Sequence, residues 1–195
     1  GGKGSRNKSR SEGGLTGRSL HTKVKTAKGR KLSSTRWLQR QLNDPYVAEA
    51  RKQGYPSRAA FKLIELDDKF RVLKPGKRIV DLGAAPGGWS QVVVQRIGSR
   101  GSVVGVDLLP IEPIAGVNLL QGDFREEVVL EQLLEKVGDE QVDLVLSDMA
   151  PNLSGMSTVD IPKAMFLVEL AHDFSQRTLR SGGDLLMKVF QGDGF

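Results

Sequence analysis

Residues 81–91 read DLGAAPGGWSQ: Asp81 and Leu82 close an apolar run, Gly83, Gly87 and Gly88 follow, and Trp89 opens the next segment. Before this loop, Arg78-Ile79-Val80-Asp81-Leu82-Gly83 has the length and β-branched content of a short buried strand ending in a glycine turn. A helix is expected over Gly88–Ile97. Outward from this unit the pattern predicts strands Ser102–Asp107 and Val117–Leu120, helix Glu126–Val137, strand Val142–Asp148, helix Val159–Leu179 and strand Gly183–Phe190. Upstream, apolar spacing near the helical period predicts two helices, around Tyr46–Arg51 and over Ser57–Phe70, before Lys74-Pro75-Gly76 breaks the run. Five β-rich strands separated by helices call for an α/β fold, a mostly parallel, doubly wound sheet whose ligands bind at the carboxyl ends of the strands. The polar residues gather there: Asp81 and the glycine loop, Asp107, Gly122-Asp123, Ser147-Asp148-Met149-Ala150-Pro151-Asn152, and Lys188 in the last strand. One such acid can cap a helix and one glycine can turn a chain. Acids at four consecutive strand ends are harder to explain that way.

Composition removes whole classes of chemistry. The 195 residues include no Cys and two His, which excludes disulfide scaffolds, thiolate metal sites and cysteine nucleophiles and makes a His-built metal site or serine triad a poor fit. No metal is expected. No apolar run reaches the length of a membrane span, and no N-terminal apolar stretch has the form of a signal peptide, so a soluble, cytoplasmic protein is expected. The net charge of +6 is unevenly placed: residues 1–36 carry 11 Lys/Arg and one acid, residues 37–195 carry 18 basic and 22 acidic groups. Residues 1–33, rich in Gly, Ser, Lys and Arg, cannot bury enough apolar surface to order themselves and are expected to be a disordered basic tail. Such an arm beside an acidic body suits contact with a phosphate backbone, although a solubilising tail or an organellar transit peptide has the same composition.

Three nucleotide sites compete for the first loop. Gly83-x4-Gly88 has Walker spacing, but Trp89 stands where a P-loop needs its phosphate-binding lysine. A dinucleotide fingerprint needs a second glycine where Ala85 stands. What remains is a glycine loop with an acid at its start and another, Asp107, at the end of the next strand, where a carboxylate suits a ribose diol. An acidic rim favours a sulfonium and an amino group over a polyphosphate, which places S-adenosylmethionine ahead of NAD.

The strings DLGAAPGGWSQ (81–91), VDLLP (106–110), QGDF (121–124), SDMAPN (147–152), VDIPKAM (159–165) and KVFQGDGF (188–195), preceded by SRAAFKL (57–63), together resemble the FtsJ-type ribosomal RNA 2′-O-methyltransferases, the bacterial large-subunit uridine enzymes. The likeness spans 34–195, the methyltransferase domain. It implies a Rossmann-like S-adenosylmethionine-dependent fold, here lacking the family's last strands, with a ribose 2′-hydroxyl of a 23S ribosomal RNA uridine as acceptor. The partners implied are ribosomal RNA and the assembled large subunit, with the protein acting as a monomer. By the same resemblance Gly87 and Trp89 belong to the cofactor loop, Asp107 binds the cofactor ribose, Asp123 contacts the adenine amino group and Asp148 lies near the methyl. Lys62, Asp148 and Lys188 match three members of the family's lysine–aspartate–lysine–glutamate set; the glutamate lies beyond the KVFQG strand and no residue here matches it.

Each assignment has a plainer counterpart. Trp89 also reads as a core aromatic at a helix start, Asp123 as a helix cap, and Lys62 with Glu65 as a solvated i,i+3 pair. Lys188 is less easily dismissed, because Leu185–Phe190 reads as a buried strand in which a lysine is costly. Desolvation and a second cation can lower an amine's pKa, which makes Lys188 the candidate base, Lys62 the nearby charge and Asp148 the group that orients Lys188. Lys188 can equally align the hydroxyl without taking its proton. The competing function is a non-catalytic RNA-binding or ribosome-assembly factor that keeps the fold; a nucleotide-dependent oxidoreductase is disfavoured by the missing glycine.

Overall fold

The computed structural model describes Arg36, Gln39, Arg40 and residues 44–189. The expected disorder of 1–33 lies outside the described residues, and the last strand, expected to run to Phe190, ends at Met187 with Lys188 and Val189 beyond it. Contacts divide the chain into Gly1–Asp44 and Pro45–Phe195, and the second unit holds the sheet and the helices that cover it.

Two helices, α1 (Pro45–Lys52) and α2 (Ala59–Phe70), lead into β1 (Arg78–Leu82), α3 (Gly88–Ile97), β2 (Ser102–Asp107), β3 (Val117–Gln121), α4 (Glu127–Val137), β4 (Val142–Ser147), α5 (Ser157–Thr178) and β5 (Leu179–Met187). The strands form one sheet in the order β3-β2-β1-β4-β5, every pair parallel. Chain order reverses between β1 and β4, the switch point beside which open α/β sheets bind ligands.

Side-chain alternation explains why both faces need helices. Ile79, Val103, Leu144 and Leu146 pack with Leu63 of α2 and Val92, Val93 and Ile97 of α3. The intervening residues Val80, Leu82, Val104, Val106 and Val145 pack on the other face with Val129, Leu133 and Val137 of α4 and Phe174 of α5. Continuous apolar strands are what a sheet covered on both sides requires. A buried carboxylate ties α2 to its neighbours: Asp67 accepts from the Leu73 N–H at 2.7 Å and from Arg96 of α3 at 2.8 Å.

Three elements begin two or more residues away from the sequence reading, each for a local reason. α2 begins at Ala59 because the Ala59 N–H turns back onto Ser57 Oγ at 3.3 Å. α5 begins at Ser157, its entry fixed by Asp160, which accepts from the N–H groups of Ser154 and Gly155 and from Ser154 Oγ at 2.8–2.9 Å. β5 begins at Leu179 rather than Gly183, since Leu179 pairs with Val142 and Asp184 with Leu144 across an irregularity that carries Gly182 at φ +76°. Arg180 within it binds Asp143 at 2.6 Å. An Arg-Ser-Gly-Gly run reads as a turn; the ladder absorbs it as a bulge.

Candidate active site

At the switch point the loops after β1 and β4 interlock. The N–H groups of Gly83 and Ala84 both donate to the Val106 carbonyl, at 2.9 and 3.0 Å, and the Asp148 N–H donates to the Leu82 carbonyl at 3.1 Å. Gly83 has φ +74°, and a Cβ there would sit 2.9 Å from the Met149 backbone nitrogen. Gly87, at φ +108°, would place a Cβ 2.7 Å from Ile114 Cδ1. Glycine is therefore required at both positions by the protein's own packing. Gly83→Ala is expected to destabilise the protein by roughly 2 kcal/mol or more, seen as a lower unfolding midpoint in urea. An unchanged midpoint would show that the two loops can part.

Asp107 accepts from the Ala85 N–H at 2.9 Å through Oδ2 and from the Leu109 N–H at 2.8 Å through Oδ1. It pins the glycine loop to the end of β2 and keeps further lone pairs for a ligand hydroxyl. Trp89 is turned inward: its ring is buried against α2 and its Nε1–H donates to the Ala59 carbonyl at 2.9 Å. What it can offer a ligand is its backbone N–H, in the first turn of α3, where N–H groups lack intrahelical acceptors.

Asp123 does not cap α4 through its side chain; Glu126 is the cap residue. Its carboxylate instead meets Arg125, which donates Nε at 2.9 Å, Nη2 at 2.7 Å and its backbone N–H at 3.0 Å. Those bonds hold the Asp123 carboxyl below the usual carboxylate range. Arg125 was not among the expected residues, although an acid and an arginine two apart in a turn is a readable signal. Exposed apolar side chains also flank the strand ends, Leu108 and Leu109 after β2, Leu153 and Met156 after β4.

Asp148 and Lys188 come together as the sequence reading expected, Nζ to Oδ1 at 2.8 Å. The Lys188 N–H donates to the Ser147 carbonyl at 2.8 Å, so the β4–β5 pairing itself delivers the lysine to the acid. The buried-strand expectation for Leu185–Phe190 needs correction. β5 is the outermost described strand on its side, its residues are mostly half-buried, and the Lys188 side chain, one residue past the strand, is 41% exposed. Lys62 lies on α2 with its Nζ 3.3 Å from Glu65 Oε2, both side chains exposed.

Asp81 is the buried member of the set. It is fully enclosed, its Oδ2 accepts from Ser90 Oγ at 2.7 Å and its Oδ1 has no partner. Burial raises its carboxyl to about 7, the Ser90 bond opposes that rise, and the charges of Asp148 and Asp107 add to it. The Asp107 and Asp148 carboxylates at adjoining strand ends repel a polyphosphate and suit a ligand with a sulfonium and an ammonium. The donor set fits S-adenosylmethionine.

The fold and these strand-end acids define a Rossmann-like S-adenosylmethionine-dependent methyltransferase. The chain belongs to the FtsJ-like methyltransferase family, whose model matches residues 55–195. A solved structure from Plasmodium falciparum, provisionally described as a ribosomal RNA methyltransferase, is 31% identical, covers 71% of this chain and 80% of its own, and superposes with a TM-score of 0.63. Two others are more distant. One, provisionally described as a hemolysin from Lactococcus lactis, is 18% identical over 68% of this chain and 57% of its own, TM-score 0.48. Aeropyrum pernix fibrillarin with bound S-adenosyl-L-methionine is 23% identical over 60% of this chain and 46% of its own, TM-score 0.40. Among the described residues no helix is long and apolar enough to cross a membrane, and no cluster of His, Asp and Glu has the form of a metal site.

Proposed function

We propose that this methyltransferase modifies the ribose 2′-hydroxyl of a uridine in large-subunit (23S) ribosomal RNA, acting as a monomer on the assembled subunit in the cytoplasm. The observation that carries the proposal is the Lys188–Asp148 pair at the carboxyl end of the sheet, beside the loop that suits the methyl donor. Support for the substrate class comes from the 31% identical P. falciparum protein and from the ordered motifs shared with the 2′-O-methyltransferases.

Bound S-adenosylmethionine supplies an electrophilic methyl group on a sulfonium. Gly87, the Trp89 N–H, Asp107 and Asp123 hold the donor, and Asp148 lies by its reacting end. Lys188, anchored by Asp148 and partly open to solvent, would hold the attacking 2′-oxygen in place and stabilise negative charge as it develops there, while the oxygen–methyl bond forms, the methyl–sulfur bond breaks with S-adenosylhomocysteine leaving, and the hydroxyl proton passes to solvent. This orienting role rests on the Asp148 contact, which fixes where the Lys188 amine points. Lys62, on the exposed face of α2, supplies positive charge for the RNA backbone near the acceptor.

The bond formed distinguishes this reaction from base methylation. A 2′-O-methylated ribose lacks the hydroxyl that alkali uses to cleave the chain, so labelled product RNA should yield an alkali-resistant dinucleotide beginning with methylated uridine. Label recovered wholly in alkali-released mononucleotides would place the methyl on a base and sink the proposal. A non-catalytic factor that keeps the fold is the second reading, favoured by one observation: Lys62 is engaged by Glu65 in an ordinary surface pair.

A further inference from the structure

Asp81 has no part in the roles above, yet it is the most unusual polar group at the strand ends. Its neighbours along the sheet are Gly105 and Leu146, neither of which offers a polar side chain. The groups facing it are the hydroxyl and backbone N–H of Ser90 from α3, the Asp107 carboxylate from β2, and the Asp148 carboxylate after β4, itself bound by Lys188 just past β5. One carboxyl oxygen therefore has a donor, and the other is sealed from water with nothing to bond. An ionised carboxylate is costly in such a place, and a neutral carboxyl much less so.

The balance changes when positive charge arrives. A ligand carrying a sulfonium and an ammonium against a single carboxylate has a net charge of about +1, and bound among these acids it offsets the repulsion that Asp107 and Asp148 exert on Asp81. We propose that Asp81, fixed by Ser90, is a positioning residue that takes up a proton in the ligand-free site and releases it to solvent when cationic S-adenosylmethionine binds. This rests on reading the strand-end loops as the cofactor site. The carboxyl's position at about 7 puts the exchange at neutral pH.

Calorimetric titration of the full chain with S-adenosylmethionine in phosphate and in Tris at pH 7 counts the protons, because the two buffers differ in ionisation enthalpy. The wild type should release about half a proton per site at pH 7, falling towards none at pH 9. Asp81→Asn should bind and lose this release. Ser90→Ala, which removes the hydrogen bond holding the carboxyl down, should move the release to higher pH. The ligand's own amine contributes alike to every variant and cancels in the comparison. Equal proton counts in wild type and Asp81→Asn, or wild-type binding with no buffer dependence, would overturn the proposal while leaving the cofactor site intact. Absence of any wild-type binding would overturn both.

Discussion

Replacing Lys188 by alanine is expected to lower methyl transfer by about 10²–10³-fold with the affinity for S-adenosylmethionine nearly unchanged. The separation of the two effects follows from where the lysine sits. Its backbone is held by the Ser147 carbonyl through strand pairing, so truncation leaves the chain path in place, and its ammonium pairs with Asp148. The residues proposed to hold the donor, Asp107 and Asp123, are anchored by the loop backbone and by Arg125. Asp148 is left without its partner, but at 22% exposure it keeps access to water, so the fold survives. Lys188→Arg should recover only part of the rate, since a planar fork cannot reproduce a point contact to one oxygen. Full turnover by Lys188→Ala in single-turnover assays would remove the lysine from the chemistry, and a parallel loss of cofactor binding would reassign it to the donor site.

The second large effect is on stability and has a definite sign. The Asp81 carboxyl is raised to about 7 in the folded protein against 3.8 for the ordinary group, chiefly by burial. Between those values the unfolded chain binds fewer protons than the folded one, so stability falls as pH rises. The favourable contribution is full below pH 4 and is lost as pH passes 7. Asn resembles the neutral carboxyl, so ligand-free Asp81→Asn should gain on the wild type by a few kcal/mol between pH 4 and pH 8. Urea unfolding of both proteins at the two pH values measures that gap. A gap that stays constant, or that narrows with pH, would mean that Asp81 ionises freely inside the fold.

Much of this architecture was legible in the sequence because the strands are covered on both faces. Runs such as Ile79-Val80 and Leu144-Val145-Leu146 are too short for buried helices and too apolar for a half-solvated sheet, and their ends mark where the polar residues lie. The pairing of Lys188 with Asp148 followed from the motifs, and that of Lys62 with Glu65 from helical spacing. Exposure was less legible. Leu185-Leu186-Met187 looks like the interior strands, but among the described residues β5 pairs with β4 alone, and Lys188 just past it is partly exposed. The glycines of the first loop read as room for a ligand, whereas Gly83 and Gly87 also admit Met149 and Ile114 from segments remote in sequence. The enclosed state of Asp81 was hidden for the same reason, since Ser90 lies on the helix packed over it.

Transfer of labelled methyl from S-adenosylmethionine to large ribosomal subunits lacking 2′-O-methylation, followed by alkaline hydrolysis and mapping, tests the central claim most directly. The account predicts label in one alkali-resistant uridine dinucleotide, with transfer lost in Lys188→Ala. Cofactor and RNA binding without any transfer by the wild type would contradict it and favour the assembly-factor reading.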